Sequence, residues 1–213
     1  GTSKRSKLQI ARTIENVGGT LTSGSDNNSY HVSLKVLKED FDLALDLLAD
    51  IVRDSRFPED QVEQKRQETL LTIEKQDENW QTEVVRLFKS HYFTRSPYRH
   101  SRIGTKESIT SLNRDEILAF YRVMVNPHHS VLAVYGDIEP RKALAAIEDN
   151  LDGWARDPVE VPEWAPDSQP LREQKVVETK NEKSSAALLI GTNGIDIEDA
   201  DRPVLDVINA VLS

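Results

Sequence analysis

Ile14-Glu15-Asn16-Val17-Gly18-Gly19-Thr20-Leu21-Thr22-Ser23-Gly24-Ser25-Asp26-Asn27-Asn28-Ser29-Tyr30-His31-Val32-Ser33-Leu34-Lys35-Val36 is the stretch that decides the architecture. Leading into it, Leu8, Ile10, Ala11, Ile14 and Val17 recur with helical spacing and stop at Gly18-Gly19, where a left-handed residue can end a helix. Beyond the glycines, Tyr30, Val32, Leu34 and Val36 alternate with polar residues, the pattern of a half-buried strand. Asp26-Asn27-Asn28 is turn chemistry between two extended runs. The reading is a helix followed by a β-hairpin.

Downstream, helices dominate. Phe41, Leu45, Leu48 and Val52, with Ala44, Leu47 and Ile51, make a broad apolar stripe over Glu39 to Asp54, and Glu39 and Asp40 suit the positive end of the helix dipole. Pro58 opens a second helix running to about Asp77, sparsely apolar at Val62, Leu70, Leu71 and Ile73. Further helices are predicted over Trp80 to Phe93, over Lys106 to Leu112, after an Asn113 cap paired with Glu116, and over Pro140 to Leu151. Ser130 to Asp137 reads as a buried central strand, because Val131-Leu132-Ala133-Val134-Tyr135 is a short continuous apolar run. Asp157 to Pro170 contains Pro158, Pro162, Pro166 and Pro170 among acidic residues, which marks a linker. Gln174 to Thr179 and Ser185 to Gly191 read as strands, and Arg202 to Leu212 as a last helix. Helices grouped between antiparallel strands predict an α+β fold, a mixed and mostly antiparallel sheet with helices on one face. The expected organisation is a first subdomain over 1–156, a linker over 157–170 and an incomplete second subdomain over 171–213.

Composition excludes several classes. The 213 residues carry a formal net charge of −9, which repels phosphate and disfavours a nucleic-acid coat. Purely apolar runs, Ala186-Ala187-Leu188-Leu189-Ile190 among them, are far short of the roughly 20 residues a membrane-spanning helix needs. There is no cysteine, so disulfides, thiolate metal sites and thiol nucleophiles are out. The opening Gly1-Thr2-Ser3-Lys4-Arg5 lacks an initiator Met, and the final apolar helix runs to Ser213 without a stop signal. Both ends are therefore expected to be cut from a longer polypeptide.

The chemistry is sparse. His31, His91, His100, His128 and His129 include no pair at the i, i+4 spacing with which one helix presents two ligands to zinc, and each reads as a structural or surface residue. No Gly-x-Ser-x-Gly elbow and no phosphate loop occur, and the acidic pairs over Gln61 to Glu78 read as a solvated helix face. On the residues alone, this is an α+β binding or structural module without a recognisable active site.

The order of signals nevertheless resembles a family. Gly1-Thr2-Ser3-Lys4-Arg5-Ser6, Ile14-Glu15-Asn16-Val17-Gly18-Gly19-Thr20-Leu21 and Phe41-Asp42-Leu43-Ala44-Leu45-Asp46-Leu47-Leu48-Ala49-Asp50-Ile51 come first. Ser96-Pro97-Tyr98-Arg99, Ile103-Gly104-Thr105-Lys106-Glu107-Ser108-Ile109, Ile117-Leu118-Ala119-Phe120-Tyr121-Arg122 and Val131-Leu132-Ala133-Val134-Tyr135-Gly136-Asp137-Ile138 follow. Together with the hairpin, they resemble the pitrilysin/insulinase zinc metallopeptidases, whose relatives include the mitochondrial processing peptidase subunits. The resemblance implies that Gly1 to Ser6 is the segment just after that family's zinc helix, whose H-x-x-E-H motif would lie upstream of this chain. It also implies a third zinc ligand, a Glu in a stretch resembling Leu-Glu-Glu-Ile, which corresponds here to Leu70-Leu71-Thr72-Ile73.

Thr72 thus stands where the family has a carboxylate. Glu74, the low-ranked substitute, is two residues on and rotated roughly 200° around a helix of 3.6 residues per turn. A neutral hydroxyl is a poor zinc ligand beside an ionised carboxylate. The expectation is a non-catalytic domain, with no cofactor in this chain and zinc only in a homologous catalytic partner domain or subunit. Leu21, Thr22, Ser23 and Gly24 would correspond to the strand that lies beside a bound peptide, an instance of strand addition. Alternatives are an active zinc endopeptidase whose motif lies upstream, and a structural assembly subunit of the same fold, like the core subunits of the mitochondrial cytochrome reductase. A homodimer is compatible with the reading, and bacterial periplasm and cytoplasm both stay open.

Overall fold

In a computed structural model of the chain, residues 1–26, 28–77, 79–154, 158, 160, 167, 177, 186–192 and 194–212 are described. In chain order the elements are α1 (Lys7–Asn16), β1 (Thr20–Ser25), β2 (Tyr30–Lys35), α2 (Phe41–Asp54), α3 (Glu59–Asp77), α4 (Trp80–Tyr92), α5 (Lys106–Ser111), α6 (Arg114–Met124), α7 (Pro140–Leu151) and α8 (Arg202–Leu212). They fall into two compact units, Gly1–Lys75 with Ser101–Glu163, and Gln76–His100 with Trp164–Ser213. No helix among the described residues is long and apolar enough to cross a membrane.

In the first unit, α1 begins with a reciprocal cap. Ser6 Oγ accepts from the Gln9 amide (3.2 Å), and Gln9 Oε1 accepts from the Ser6 amide (2.8 Å). It ends as the glycine pair predicts. Gly18, at φ 63°, donates to the Glu15 carbonyl, and Gly19 donates to that of Ile14, both at 2.9 Å. This 6→1 and 5→2 pairing satisfies carbonyls the helix leaves open. A Cβ on Gly19 would meet Val36 Cγ1 at 2.9 Å and the Lys35 carbonyl at 3.0 Å, so the glycine lets the chain enter β1 against the end of β2.

β1 and β2 pair antiparallel from Thr20↔Lys35 to Ser25↔Tyr30. The hairpin closes through the Asp26 amide on the Ser29 carbonyl (2.8 Å). Behind it lies α2, which contributes Ala44, Leu45, Leu47 and Ala49 to a core shared with Ile14, Ile73, Val125 and Ala143. Tyr121 on α6 donates its hydroxyl to the Ile51 carbonyl (2.7 Å), and Arg53 donates to the Asn150 and Asp152 carbonyls at the end of α7 (3.2 and 2.9 Å). Phe57 sits at φ 47°, rare for a side-chain-bearing residue, with its ring edge-on to Tyr121 (5.0 Å) and its carbonyl accepting from Arg114 Nε (2.9 Å).

A buried carboxylate fixes the beginning of the chain to α2. Asp50 has a fully buried side chain on the core side of the helix. Its Oδ2 accepts from the Thr2 hydroxyl and from Arg5 Nη1, both at 2.8 Å, while Arg5 Nη2 reaches Asp46. Backbone bonds from Ser3 to Asp54 and from Arg56 to Gly1 continue the attachment (3.0 and 3.1 Å).

The α+β class stands, with one antiparallel two-stranded sheet among the described residues. The expected central strand does not form. Residues 131–135 are irregular, and Val131 and Tyr135 are essentially fully exposed at 96% and 105%. A strand exists through its hydrogen-bonded neighbour, and no described segment lies alongside this run to provide one. Residues 186–191 are likewise in no strand, and most of 174–179 lies outside the described residues.

In the second unit, Asn79 Oδ1 caps α4 by accepting from the Gln81 and Thr82 amides (2.9 and 3.2 Å). The helix carries an aromatic row. Phe88 stacks on Tyr92 (5.1 Å), Tyr92 meets Phe93 edge-on (5.0 Å), and Phe93 leans on Tyr98 (5.7 Å). Tyr92 donates to the Thr192 carbonyl (3.1 Å), and Gly191 lies so close to Phe88 that a Cβ would sit 2.1 Å from the ring tip. The apolar side chains of α8, Val204, Val207 and Val211 among them, are exposed.

Two expectations follow. Arg5→Ala removes the cation paired with the buried Asp50 side chain and should lower unfolding free energy by about 3–5 kcal/mol in urea titrations. A loss below about 0.5 kcal/mol, the range of an ordinary surface substitution, would show that the pair does not anchor the segment. Gly18→Ala forces a left-handed alanine and should cost about 1 kcal/mol in the same assay, whereas Val17→Ala, one residue earlier, should not carry that backbone penalty.

Candidate functional site

The candidate zinc-ligand position lies on α3, where Ile73 is buried and its two neighbours flank it. Thr72 and Glu74 are both exposed and leave the helix on widely separated faces, as the turn of the helix requires. The Thr72 hydroxyl is turned back on its own helix and donates to the Glu68 carbonyl at 2.8 Å. Glu74 forms a long surface ion pair with Lys106 (3.8 Å), a contact of little energetic weight.

The second candidate is β1. It has β2 on one side and no strand among the described residues on the other, so one edge presents a row of backbone donors and acceptors. Leu21 and Gly24 are half-buried, whereas Thr22 and Ser23 are exposed. Gly24 faces His31 across the pair, and the imidazole lies over it: a Cβ there would stand 2.7 Å from His31 Cε1. His31 is exposed, and its ring covers the space of the absent side chain.

A cleft of about 650 Å³ in the first unit brings part of this together. Gly1, Ser23, Gln61, Lys65, Thr69 and Leu112 are among its walls, so the start of the chain, the exposed stretch of β1 and the first half of α3 share one concavity. Thr72 and Glu74 are not among its lining residues. Two cations on its walls have partners: Lys65 pairs with Glu68 (3.1 Å), and Arg66 pairs with Glu63 (2.8 Å). Hydrogen bonds from Gln67 and Arg66 hold the Glu63 carboxyl below its ordinary value, and those from Lys65 do the same for Glu68.

No histidine is among the lining residues of this cleft. His91 has Nδ1 against the Leu87 carbonyl (2.9 Å) and Ser90 Oγ (3.0 Å). His128 and His129 occupy the short 3-10 turn Pro127–His129, started by the buried Asn126, whose Oδ1 accepts from the His128 amide (3.0 Å). Among the described residues, no group of three or more His, Cys, Asp or Glu lies together as a metal-ligand set. The α3 donors do not fit zinc. The Thr72 hydroxyl at the candidate position is neutral and engaged with the backbone, and the Glu74 carboxylate is turned to Lys106.

Two features of this region were not anticipated. Arg66 spans from α3 to the end of α5 and donates to the carbonyls of Ile109, Thr110 (3.2 Å) and Leu112 (2.7 Å), closing one wall of the cleft. Asp50 carried a readable signal, a lone acid between the apolar Ala49 and Ile51, whereas nothing in the spacing of Arg66 marks its long reach.

Comparison with known proteins gives this geometry its setting. A family model described as Insulinase (Peptidase family M16) matches residues 1–106, and one described as Peptidase M16 inactive domain matches residues 111–213. An uncharacterized zinc protease of Mycobacterium leprae is 30% identical over 150 residues, 70% of this chain and 34% of that protein. Another from Streptomyces coelicolor is 28% identical over 217 residues, 100% of this chain and 47% of the relative. The chain thus spans about a third to a half of these curated relatives. The solved peptidase M16 inactive domain from Pseudomonas fluorescens superposes with a TM-score of 0.70 at 20% identity, covering 78% of this chain and 40% of that one, a likeness of fold. With both halves of the chain matched in the expected order, this protein belongs to the pitrilysin/insulinase family, peptidase family M16.

Proposed function

We propose that this chain supplies a non-catalytic domain of a zinc peptidase assembly, contributing part of the wall around a bound peptide and packing against a homologous domain that holds the zinc. The observation that carries the reading is Thr72: at the position where the family places a carboxylate ligand, the side chain is a hydroxyl engaged with the Glu68 carbonyl. Zinc bound by two imidazoles and a carboxylate has its charge partly neutralised by the third ligand, and an alcohol does not provide that. The match of residues 111–213 to an inactive-domain model is consistent with this division of labour.

In this reading, Leu21 to Gly24 of β1 receive the peptide. Strand addition needs an extended edge with unpaired backbone groups, and β1 has one among the described residues. Main-chain bonds hold any sequence in register, and side-chain pockets select among them, so such an edge suits a wall that grips peptides without cutting them. The organisation we propose is a main subdomain over 1–156, a proline-rich crossing over 157–170 and the beginning of a second subdomain over 171–213.

Two measurements test the proposal. In the complete polypeptide, Thr72→Ala and Glu74→Ala should leave zinc content and zinc-dependent peptide cleavage as they are, because neither side chain holds the metal; loss of zinc or of cleavage on either substitution would make this helix a ligand-bearing one and overturn the reading. Hydrogen exchange with an unstructured peptide in excess should protect those amides of Leu21 to Gly24 that face the open edge, alternate residues along the strand, by about ten-fold or more, and unchanged exchange there would remove β1 from the peptide site.

A further inference from the structure

The turn Thr94-Arg95-Ser96, which leads from α4 into the 3-10 turn Pro97–Arg99, holds a carboxylate from 73 positions beyond Thr94. Asp167 Oδ1 accepts from the Thr94 amide (3.0 Å), the Thr94 hydroxyl (2.7 Å) and the Arg95 amide (2.8 Å). Its Oδ2 accepts from the Ser96 amide (2.7 Å). Three consecutive main-chain N–H groups converging on one point form an anion-binding concavity.

The concavity is built without help from Asp167. Arg99 Nη1 donates to the Thr94 carbonyl (2.9 Å), and Ser96 Oγ accepts from the Tyr98 amide (3.3 Å). The Arg99 amide donates to the Ser96 carbonyl (3.2 Å), that of Phe93 donates to Lys89 (3.1 Å), and Phe93 leans on Tyr98. The turn is thus fixed on both flanks by its own residues, with Arg95 and Arg99 adding two positive charges to an otherwise acidic chain. Taking the Asp167 carboxyl out of water pushes its pKa up, but the Thr94 hydroxyl and the amides of Ser96, Arg95 and Thr94 outweigh that and bring it down to about 2.

We propose that Thr94-Arg95-Ser96 is a carboxylate-binding site whose resident ligand is the chain's own Asp167, and that it accepts an acidic side chain of a peptide in its place. The fit is chemical. Both carboxylate oxygens are used, three donors on one and one on the other, matching a planar oxyanion rather than a neutral amide, which offers one acceptor oxygen. The bonds lie at the surface, where a competing carboxylate reaches them, and backbone donors impose no further sequence requirement. The site stands in the second unit and does not depend on the peptide-wall reading of β1.

Asp167→Ala in the complete polypeptide tests it by chemical rescue. The amide resonances of Thr94, Arg95 and Ser96 should shift in the variant and return toward their wild-type positions as sodium acetate is added. That return should saturate, sodium chloride at equal ionic strength should not produce it, and the wild-type protein should not respond. A blocked pentapeptide with one Asp should bind the variant at least about ten-fold more tightly than wild type, and its Asn counterpart should bind neither. If Asp167→Ala does not fold, Asp167→Asn read by thermal unfolding replaces it, with a rise of about 2 °C or more in acetate over chloride expected. Amides unmoved by the substitution, or acetate acting no differently from chloride in whichever variant folds, would overturn the site; rescue by acetate without preference for the Asp peptide would overturn the peptide ligand.

Discussion

A carboxylate placed inside a helix bundle must be answered by a donor, and Asp50 shows how far that demand organises a structure. An ionised group out of water costs several kcal/mol unless its charge and lone pairs are met. Thr2 and Arg5 meet one oxygen of Asp50, and Arg5 extends to Asp46 one turn back along the same face. The consequence is positional. Residues 1–5 cannot leave α2 without stranding the charge, so α1 starts from a fixed point and delivers Gly18-Gly19 and β1 to a defined place beside β2. The ion pair is a better account of where the segment lies than of how stable the protein is, because a well-packed apolar trio of the same shape could be as stable.

The legible parts of the fold were those whose information is local. The end of α1 could be read because only a few residue types take the left-handed position at Gly18, and the hairpin because a period-two pattern flanked turn residues. The Asn113 cap and its Glu116 partner were visible for the same reason, and both of their hydrogen bonds form, at 3.0 and 2.8 Å. Illegible were the features that need a distant partner. Val131 to Tyr135 has the composition of a central strand, yet composition does not provide the neighbour whose N–H and C=O groups make a strand. Arg66 closing α5 and Asp167 reaching the Thr94 turn join residues 43 and 73 apart, and neither spacing has a local signature.

The candidate site divides along the same line. Thr72 was identified by where a family motif falls, and the structure adds what a sequence cannot: the hydroxyl is committed to Glu68, and the cleft beside β1 and the N-terminal segment passes α3 one turn earlier, at Thr69. Thr72 is thus outside the lining of this concavity, while Glu68 and Thr69, about one turn earlier, are part of it. A metal ion must face the space where substrate lies, so in the proposed reading α3 serves as wall beside the cleft rather than as a source of ligand.

Net charge and local recognition act over different distances. A net of −9 suggests basic ligands for the molecule as a whole, yet the turn Thr94 to Ser96 holds a carboxylate mainly through neutral backbone amides. Screening limits the reach of surface charges to about 8–10 Å at ordinary ionic strength, whereas donors at 2.7–3.0 Å act undiminished. What a surface recognises is thus set within the first layer of contacts. The acidic total governs long-range approach and solubility, and an oriented row of amides can still select the ligand of opposite preference.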